Sequence, residues 1–169
     1  MAKKEIVNKL KLLANEYRRR LIELSEAYPA NIHLGGDMSI GDVIIALYHY
    51  GMCVDSTDIA MADRDRFVMS KGHAAAGMYV AMSLAGFFDF DEIKATYGQV
   101  DSAYGMHPCK IHLPGVESST GSLGHGLSIS CGMAIKAKHD KSKYRVYCLI
   151  GDGESCEGSV WEAAMMASS

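Results

Sequence analysis

The chain has 169 residues, of which 49% are hydrophobic and 22% charged, a balance that suits one folded domain with a real core and excludes a disordered tract. Seventeen basic against twenty acidic residues leave a net charge of −3, which excludes a basic nucleic-acid footprint. The N-terminal "MAKKEIVNKLKLLANEYRRR" is charged throughout and lacks an apolar signal core, and no apolar run approaches the ~20 residues of a membrane span.

Residues 3–28 are expected to form a long amphipathic helix, because Ile6, Leu10, Leu13, Tyr17, Leu21 and Leu24 recur at three- and four-residue steps. Pro29 stops it. "NIHLGGDM" reads as a glycine-bearing loop. A second helix starts at Ser39 with Asp42 in capping-box position, and its apolar run "VIIALYHYG" ends at Gly51. "DRDRFVMSKGH" reads as a short strand, Phe67 to Met69, and a loop. The small-residue helix "HAAAGMYVAMSLAG" follows and stops at Gly86, a C-cap residue. "DFDEIKATYG" is a short capped helix. Residues 98–121 show neither helical nor alternating periodicity, and loops of that length in compact domains are often functional.

"SLGHGLSISCGMAIKAKH" then reads as a helix rich in small residues, and "KYRVYCLI" as the clearest strand, Tyr144 to Ile150. Its apolar end suits a strand covered on both faces. "GDGESCEG" is a loop, and "SVWEAAMMASS" opens a last helix at Ser159. There is no internal repeat or linker, so residues 1–169 read as a single domain. Helices alternating with short buried strands predict an α/β fold with a mostly parallel sheet flanked by helices. Cys53, Cys109, Cys131, Cys148 and Cys156 are scattered and without CxxC spacing, as free thiols of a cytoplasmic protein would be.

A strand ending in Gly-Asp-Gly puts Asp152 at the C-terminal edge of a sheet, where open α/β sheets bind ligands. The glycines let a phosphate approach the backbone, and a carboxylate there suits a hard cation bridging to phosphate oxygens. For the triplet alone, a plain Asp-Gly turn is the better reading. His33, His73, His107, His112 and His125 all sit beside predicted loops or helix starts. They either converge on one pocket, able to bind an anion and move protons, or are ordinary solvated histidines; none has metal-site spacing. In "ESSTGSLGHG" the glycines mark a loop-to-helix junction. Glu162 stands three residues after Ser159, which a capping box explains by itself.

Taken together and in this order, four segments resemble the N-terminal, diphosphate-binding part of the transketolase family. "NIHLGGDMSIGDVIIALY" is similar to that family's first histidine segment and "DRDRFVMSKGHAAAGMYV" to its second. "GMHPCKIHLPGVESSTGSLGHGLSISCGMA" resembles the third, with its PGVE stretch, and "CLIGDGESCEGSVWEAAMMAS" the thiamine diphosphate motif. The resemblance implies a thiamine diphosphate-binding α/β fold of the diphosphate-binding type, incomplete at its C-terminal end. It implies Asp152 as ligand of the divalent ion, Mg²⁺ or Ca²⁺, with Gly151 and Gly153 lining the diphosphate and His73 near its phosphates. Gly121 and Leu123 would touch the aminopyrimidine ring, and His33 and His107 would face the sugar. Glu157 and Glu162 match acidic positions near the subunit interface, and Glu157 counts among the cofactor-binding residues.

Two departures stand out. His125 occupies a position where many relatives carry Gln, and the downstream Asn that shares the metal in the family is not reached by Ser169. The pyrimidine-binding half, with its activating glutamate, is likewise not in the chain. The implied protein is thus the N-terminal subunit of a split transketolase, apparently truncated and forming an oligomer with a C-terminal subunit, Trp161, Met165 and Met166 being candidates for exposed contacts. It would transfer a two-carbon ketol unit between sugar phosphates. A 1-deoxyxylulose-5-phosphate synthase-like or other thiamine enzyme, or a non-catalytic remnant with an assembly role, are the alternatives.

Overall fold

The computed structural model describes residues 3–168. The chain divides into two compact units, one of residues 1–52 and 74–106, the other of residues 53–73 and 107–169.

The first unit is helical. Helix α1 (Lys3–Ala27) follows its apolar periodicity, and its stripe of Ala14, Tyr17, Leu21 and Leu24 is buried against α2 (Leu34–Met38), α3 (Gly41–Ala46) and α4 (Ala75–Leu84). Full burial of a leucine side chain contributes about 1.5–3 kcal/mol, and Leu21 and Leu24 are both completely inaccessible. Helix α4 is buried along its whole run from Ala75 to Met82, as expected of a helix apolar all round. Gly86 follows its C-cap Ala85 and donates its N–H to Ser83 O (3.1 Å). Helix α5 (Phe90–Thr96) is capped by Asp89, whose carboxylate accepts the Asp91 N–H at 2.9 Å. Tyr79, Tyr97 and Tyr104 meet edge-on, with ring centroids 5.6 and 6.4 Å apart.

Two expectations for this unit are corrected. "NIHLGGDM" is not a plain loop: it contains α2, whose Asp37 is fully buried. The Asp37 carboxylate accepts the Gly77 N–H at 2.8 Å and its carbonyl accepts the Tyr17 hydroxyl at 2.7 Å. Burial, with the Asp37 charge beside it, pushes the Tyr17 phenol far above its ordinary range. Asp42 is not a capping-box partner either: the N-cap of α3 is Ile40, and Asp42 pairs with Arg18 at 2.8 Å. The apolar run after α3 ends in a π-helical turn, Leu47–Gly51.

The second unit carries the sheet. Strand β1 (Arg66–Met69) pairs in parallel with β2 (Val146–Leu149), Arg66 opposite Val146 and Met69 opposite Leu149. Helix α6 (Gly126–Asp140) packs on both strands and α7 (Gly158–Ala167) packs on α6. Phe67, Val68 and Met69 are buried. β2 is only half-buried throughout, contrary to the expected strand covered on both faces, because β1 is its sole sheet partner among the described residues.

Candidate functional site

The chain emerging from β1 and the chain emerging from β2 run out side by side. Ser70 extends the ladder by donating its N–H to Leu149 O at 2.9 Å. The turn Ser70-Lys71-Gly72-His73 follows β1, and Gly151-Asp152-Gly153 follows β2. This juxtaposition is the C-terminal edge of a parallel pair, where α/β sheets take ligands.

The irregular stretch after residue 106 is tied to that edge by identifiable bonds. Thr120 Oγ1 donates to Met69 O at 2.6 Å and Thr120 N to Pro108 O at 3.3 Å. A Cβ on Gly72 would lie 2.6 Å from Gly121 N, and one on Gly121 would lie 2.8 Å from His107 Cδ2. Gly121 also has φ +144°, open to glycine and costly for other residues. His107, which is exposed, and half-buried His73 therefore stand on neighbouring segments of this edge. His33 belongs to the first unit, where it is the exposed N-cap of α2 and its carbonyl accepts the Asp37 N–H at 3.0 Å.

A charged cluster holds the other end of the same stretch. Glu117 is paired with Arg64 and lies 3.6 Å from Arg66 Nε, and these three side chains are 9%, 21% and 12% accessible for Arg64, Arg66 and Glu117. Arg64 also donates to Ile59 O at 3.0 Å. Removing one member of a buried pair leaves an uncompensated charge, at a cost of about 3–5 kcal/mol. Glu117→Ala is expected to destabilise by an amount near the lower end of that range, read by denaturant unfolding, whereas Ser118→Ala changes little.

After β2 the chain forms a 3₁₀ turn, Gly153–Cys156. Asp152 is exposed, and its Oδ1 accepts the Gly153 N–H at 2.8 Å. A Cβ on Gly153 would meet nothing within 4 Å, so the space beside the carboxylate is open. Gly151 donates its N–H to Glu154 Oε2 at 2.9 Å. Both glycine amides are thus engaged by carboxylates. Leu123 is part-exposed (38%). Glu157 is the N-cap of α7 without a side-chain cap bond, and its Cβ lies where a Cβ on Gly124 would approach to 2.8 Å. Among the described residues no group of three His, Cys, Asp or Glu side chains could hold a metal ion by itself.

The capping-box explanation of Glu162 is corrected. Ser159 lies inside α7, and its hydroxyl donates to Gly124 O at 3.0 Å instead of capping; Glu162 is exposed. His125 is the N-cap of α6, exposed and without a side-chain cap bond. His112 is exposed on the loop. Nearby, the Ile111 amide, then the Ser119 hydroxyl 3.7 Å from Sγ, hold the Cys109 thiol below its ordinary value. Burial pushes the Cys148 thiol up. All five cysteines are free.

Sequence reasoning overlooked Glu154. It is 3% exposed and accepts hydrogen bonds from Ser70, Gly124 and Gly151. No periodicity or spacing marks it, since its donors come from three separate stretches of the chain.

A glycine-histidine turn, a Gly-Asp-Gly turn and a glycine-rich approach to a helix thus meet at one parallel β-edge, the place where open α/β sheets take ligands. The chain belongs to the transketolase thiamine diphosphate-binding domain family: the family model "Transketolase, thiamine diphosphate binding domain" matches residues 3–169. It is 45% identical over 159 residues to an apulose-4-phosphate transketolase subunit of Phocaeicola vulgatus, covering 94% of this chain and 56% of that protein. It is 40% identical over 135 residues to a 6-deoxy-6-sulfo-D-fructose transketolase subunit of a Clostridium species, covering 80% of this chain and 49% of that one. The transketolase of Leishmania mexicana superposes with a TM-score of 0.85 at 30% identity, over 93% of this chain and 25% of that chain. This chain therefore spans about half the length of the curated subunits it matches.

No helix among the described residues is long and apolar enough to cross a membrane.

Proposed function

We propose that this chain supplies the diphosphate-binding part, as a single domain over residues 1–169, of the N-terminal subunit of a split transketolase. The enzyme transfers a two-carbon ketol unit from a ketose phosphate to an aldose phosphate in the cytoplasm. It works with thiamine diphosphate, a divalent ion (Mg²⁺ or Ca²⁺) and a C-terminal subunit that carries the pyrimidine-binding domain. The observation that carries this reading is the pairing of the Ser70–His73 turn with the Gly151–Gly153 turn at one parallel strand edge, in a chain 45% identical to a protein named as an apulose-4-phosphate transketolase subunit.

The residues fit the cofactor. Asp152 offers an exposed carboxylate beside open space and would hold a divalent cation, whose hard charge suits carboxylate oxygen. Thiamine diphosphate supplies the electron sink for carbon–carbon cleavage. The chain's own residues bind and orient: Gly151 and Gly153 would line the diphosphate, with open space beside Gly153, and His73 would lie near its phosphates. Gly121 and Leu123 would touch the aminopyrimidine, and Glu157 would be a further cofactor-binding residue. His33 and His107 hold and move protons at the hydroxyl and carbonyl oxygens of the sugar.

A transfer assay on the full-length subunit mixed with its C-terminal partner tests this. Ketol transfer that requires both subunits, the cofactor and the metal is the expected result. Turnover by the isolated N-terminal subunit removes the need for a partner, and no transfer from any ketose phosphate overturns the reading. A donor outside the common ketose phosphates is the second reading, favoured by the names of the apulose-4-phosphate and sulfofructose relatives; product analysis separates the two. Trp161, Met165 and Met166 are 62%, 64% and 58% exposed, which supports an oligomer, and light scattering showing a monomer would remove that part.

A further inference from the structure

Glu154 has no place in the chemistry above, yet its carboxylate joins three separate stretches of the second unit. Its side chain is buried at 3% exposure. Oε1 accepts the Ser70 hydroxyl at 2.5 Å and the Gly124 N–H at 2.9 Å, and Oε2 accepts the Gly151 N–H at 2.9 Å. Ser70 Oγ in turn accepts the Gly126 N–H at 3.1 Å. One carboxylate therefore joins the end of β1, the approach to α6 and the end of β2.

Burying an ionised carboxylate costs several kcal/mol unless charge-assisted bonds offset it. A hydroxyl or amide could satisfy one turn. Only a group with two acceptor oxygens and no hydrogen of its own can accept from both backbone turns and from Ser70. The Gly124 turn has little freedom besides this: its φ is +82°, and a Cβ there would meet Ser159 Oγ at 2.5 Å.

We propose that Glu154 is a positioning residue that clamps the Gly124 turn and the Gly151 turn to Ser70, and so sets the spacing between the segment bearing on the aminopyrimidine and the segment holding the diphosphate. The proposal rests on the cofactor reading of those two segments. Glu154 touches no reacting atom; it acts through the backbone of Gly124 and Gly151.

The test compares the full-length subunit, with its partner, as wild type, Glu154→Gln and Ser70→Ala. Glutamine keeps the shape, but its amide nitrogen must face either Gly151 N–H or the Ser70–Gly124 side, leaving a donor unmatched. Hydrogen exchange of the Gly124 and Gly151 amides is expected to quicken about tenfold or more, given what a bond to a charged acceptor contributes. The half-saturation constant for thiamine diphosphate at fixed Mg²⁺ rises by about the same factor, while kcat at saturating cofactor stays within about twofold. A lowered melting temperature with an unchanged cofactor constant in the folded fraction overturns the proposal. Should wild type bind no cofactor, the functional reading fails, and exchange alone decides the clamp: faster exchange sustains it and unchanged exchange overturns it. Should Glu154→Gln fail to fold, Ser70→Ala carries the same readouts with an expected change of about threefold.

Discussion

Asp152→Asn is expected to weaken Mg²⁺-dependent thiamine diphosphate binding by on the order of 100-fold, at the top of the tenfold to 100-fold range typical of outer-shell changes around a metal. Ketol transfer falls with it. Asparagine is the informative replacement because it separates two roles of this side chain. Asp152 Oδ1 accepts the Gly153 N–H at 2.8 Å and caps the 3₁₀ turn. Asparagine keeps a carbonyl oxygen for that bond, so the turn survives, and losing such a cap altogether costs only about 1 kcal/mol. What asparagine lacks is the negative charge that a hard cation requires. Alanine removes both, and its extra loss of stability over asparagine measures the cap. Calorimetric titration of cofactor with Mg²⁺ and with chelator distinguishes these outcomes. An asparagine variant that binds cofactor as wild type does would show that Asp152 is only a turn residue.

Such a reading was open to sequence alone because Gly-Asp-Gly stands directly after an apolar strand. The strand edge, the Gly-Asp-Gly turn and the long helix α1 all announce themselves over short windows. The periodicity of Tyr17, Leu21 and Leu24 marks a face that is indeed buried. What escaped is what depends on distant partners. Asp37 looks like a loop acid in "LGGDM", yet it is fully buried because Gly77, forty residues later, brings a backbone N–H to it and has no side chain to block the approach. Glu154 sits between two more conspicuous acids, and only folding brings Ser70 and Gly124 to it. Ser159 and Glu162 matched a local capping rule, but the Gly124 carbonyl takes the serine hydroxyl. Local patterns compete with tertiary hydrogen bonds, and here the tertiary partners prevailed at the C-terminal edge of the sheet.

That edge depends on close backbone approach, and Gly72→Ala is expected to disrupt it. The added Cβ would lie 2.6 Å from Gly121 N, 2.7 Å from Thr120 C and 2.8 Å from Gly121 Cα. All three are backbone atoms, so no side chain can swing aside. Thr120 cannot retreat without stretching its 2.6 Å bond to Met69 O. Gly121 cannot shift the other way without pressing on His107, whose ring already stands where a Cβ on Gly121 would come within 2.8 Å. Overpacking of this kind costs about 1–3 kcal/mol. The larger effect falls on function, because the displaced stretch carries His107, Gly121 and Leu123 together, and a misplacement near 1 Å costs about 100-fold in rate. Gly132→Ala is the matched control. It adds the same methyl group to an exposed helical position with nothing within 4 Å, and is expected to stabilise α6 by about 0.5–1 kcal/mol. Melting temperatures should therefore move in opposite directions, and only Gly72→Ala should lose ketol transfer in the presence of the partner subunit. Equal stability and equal turnover in both variants would mean that the 107–124 stretch has room to move, and that its close seating on the end of β1 is not what positions the site.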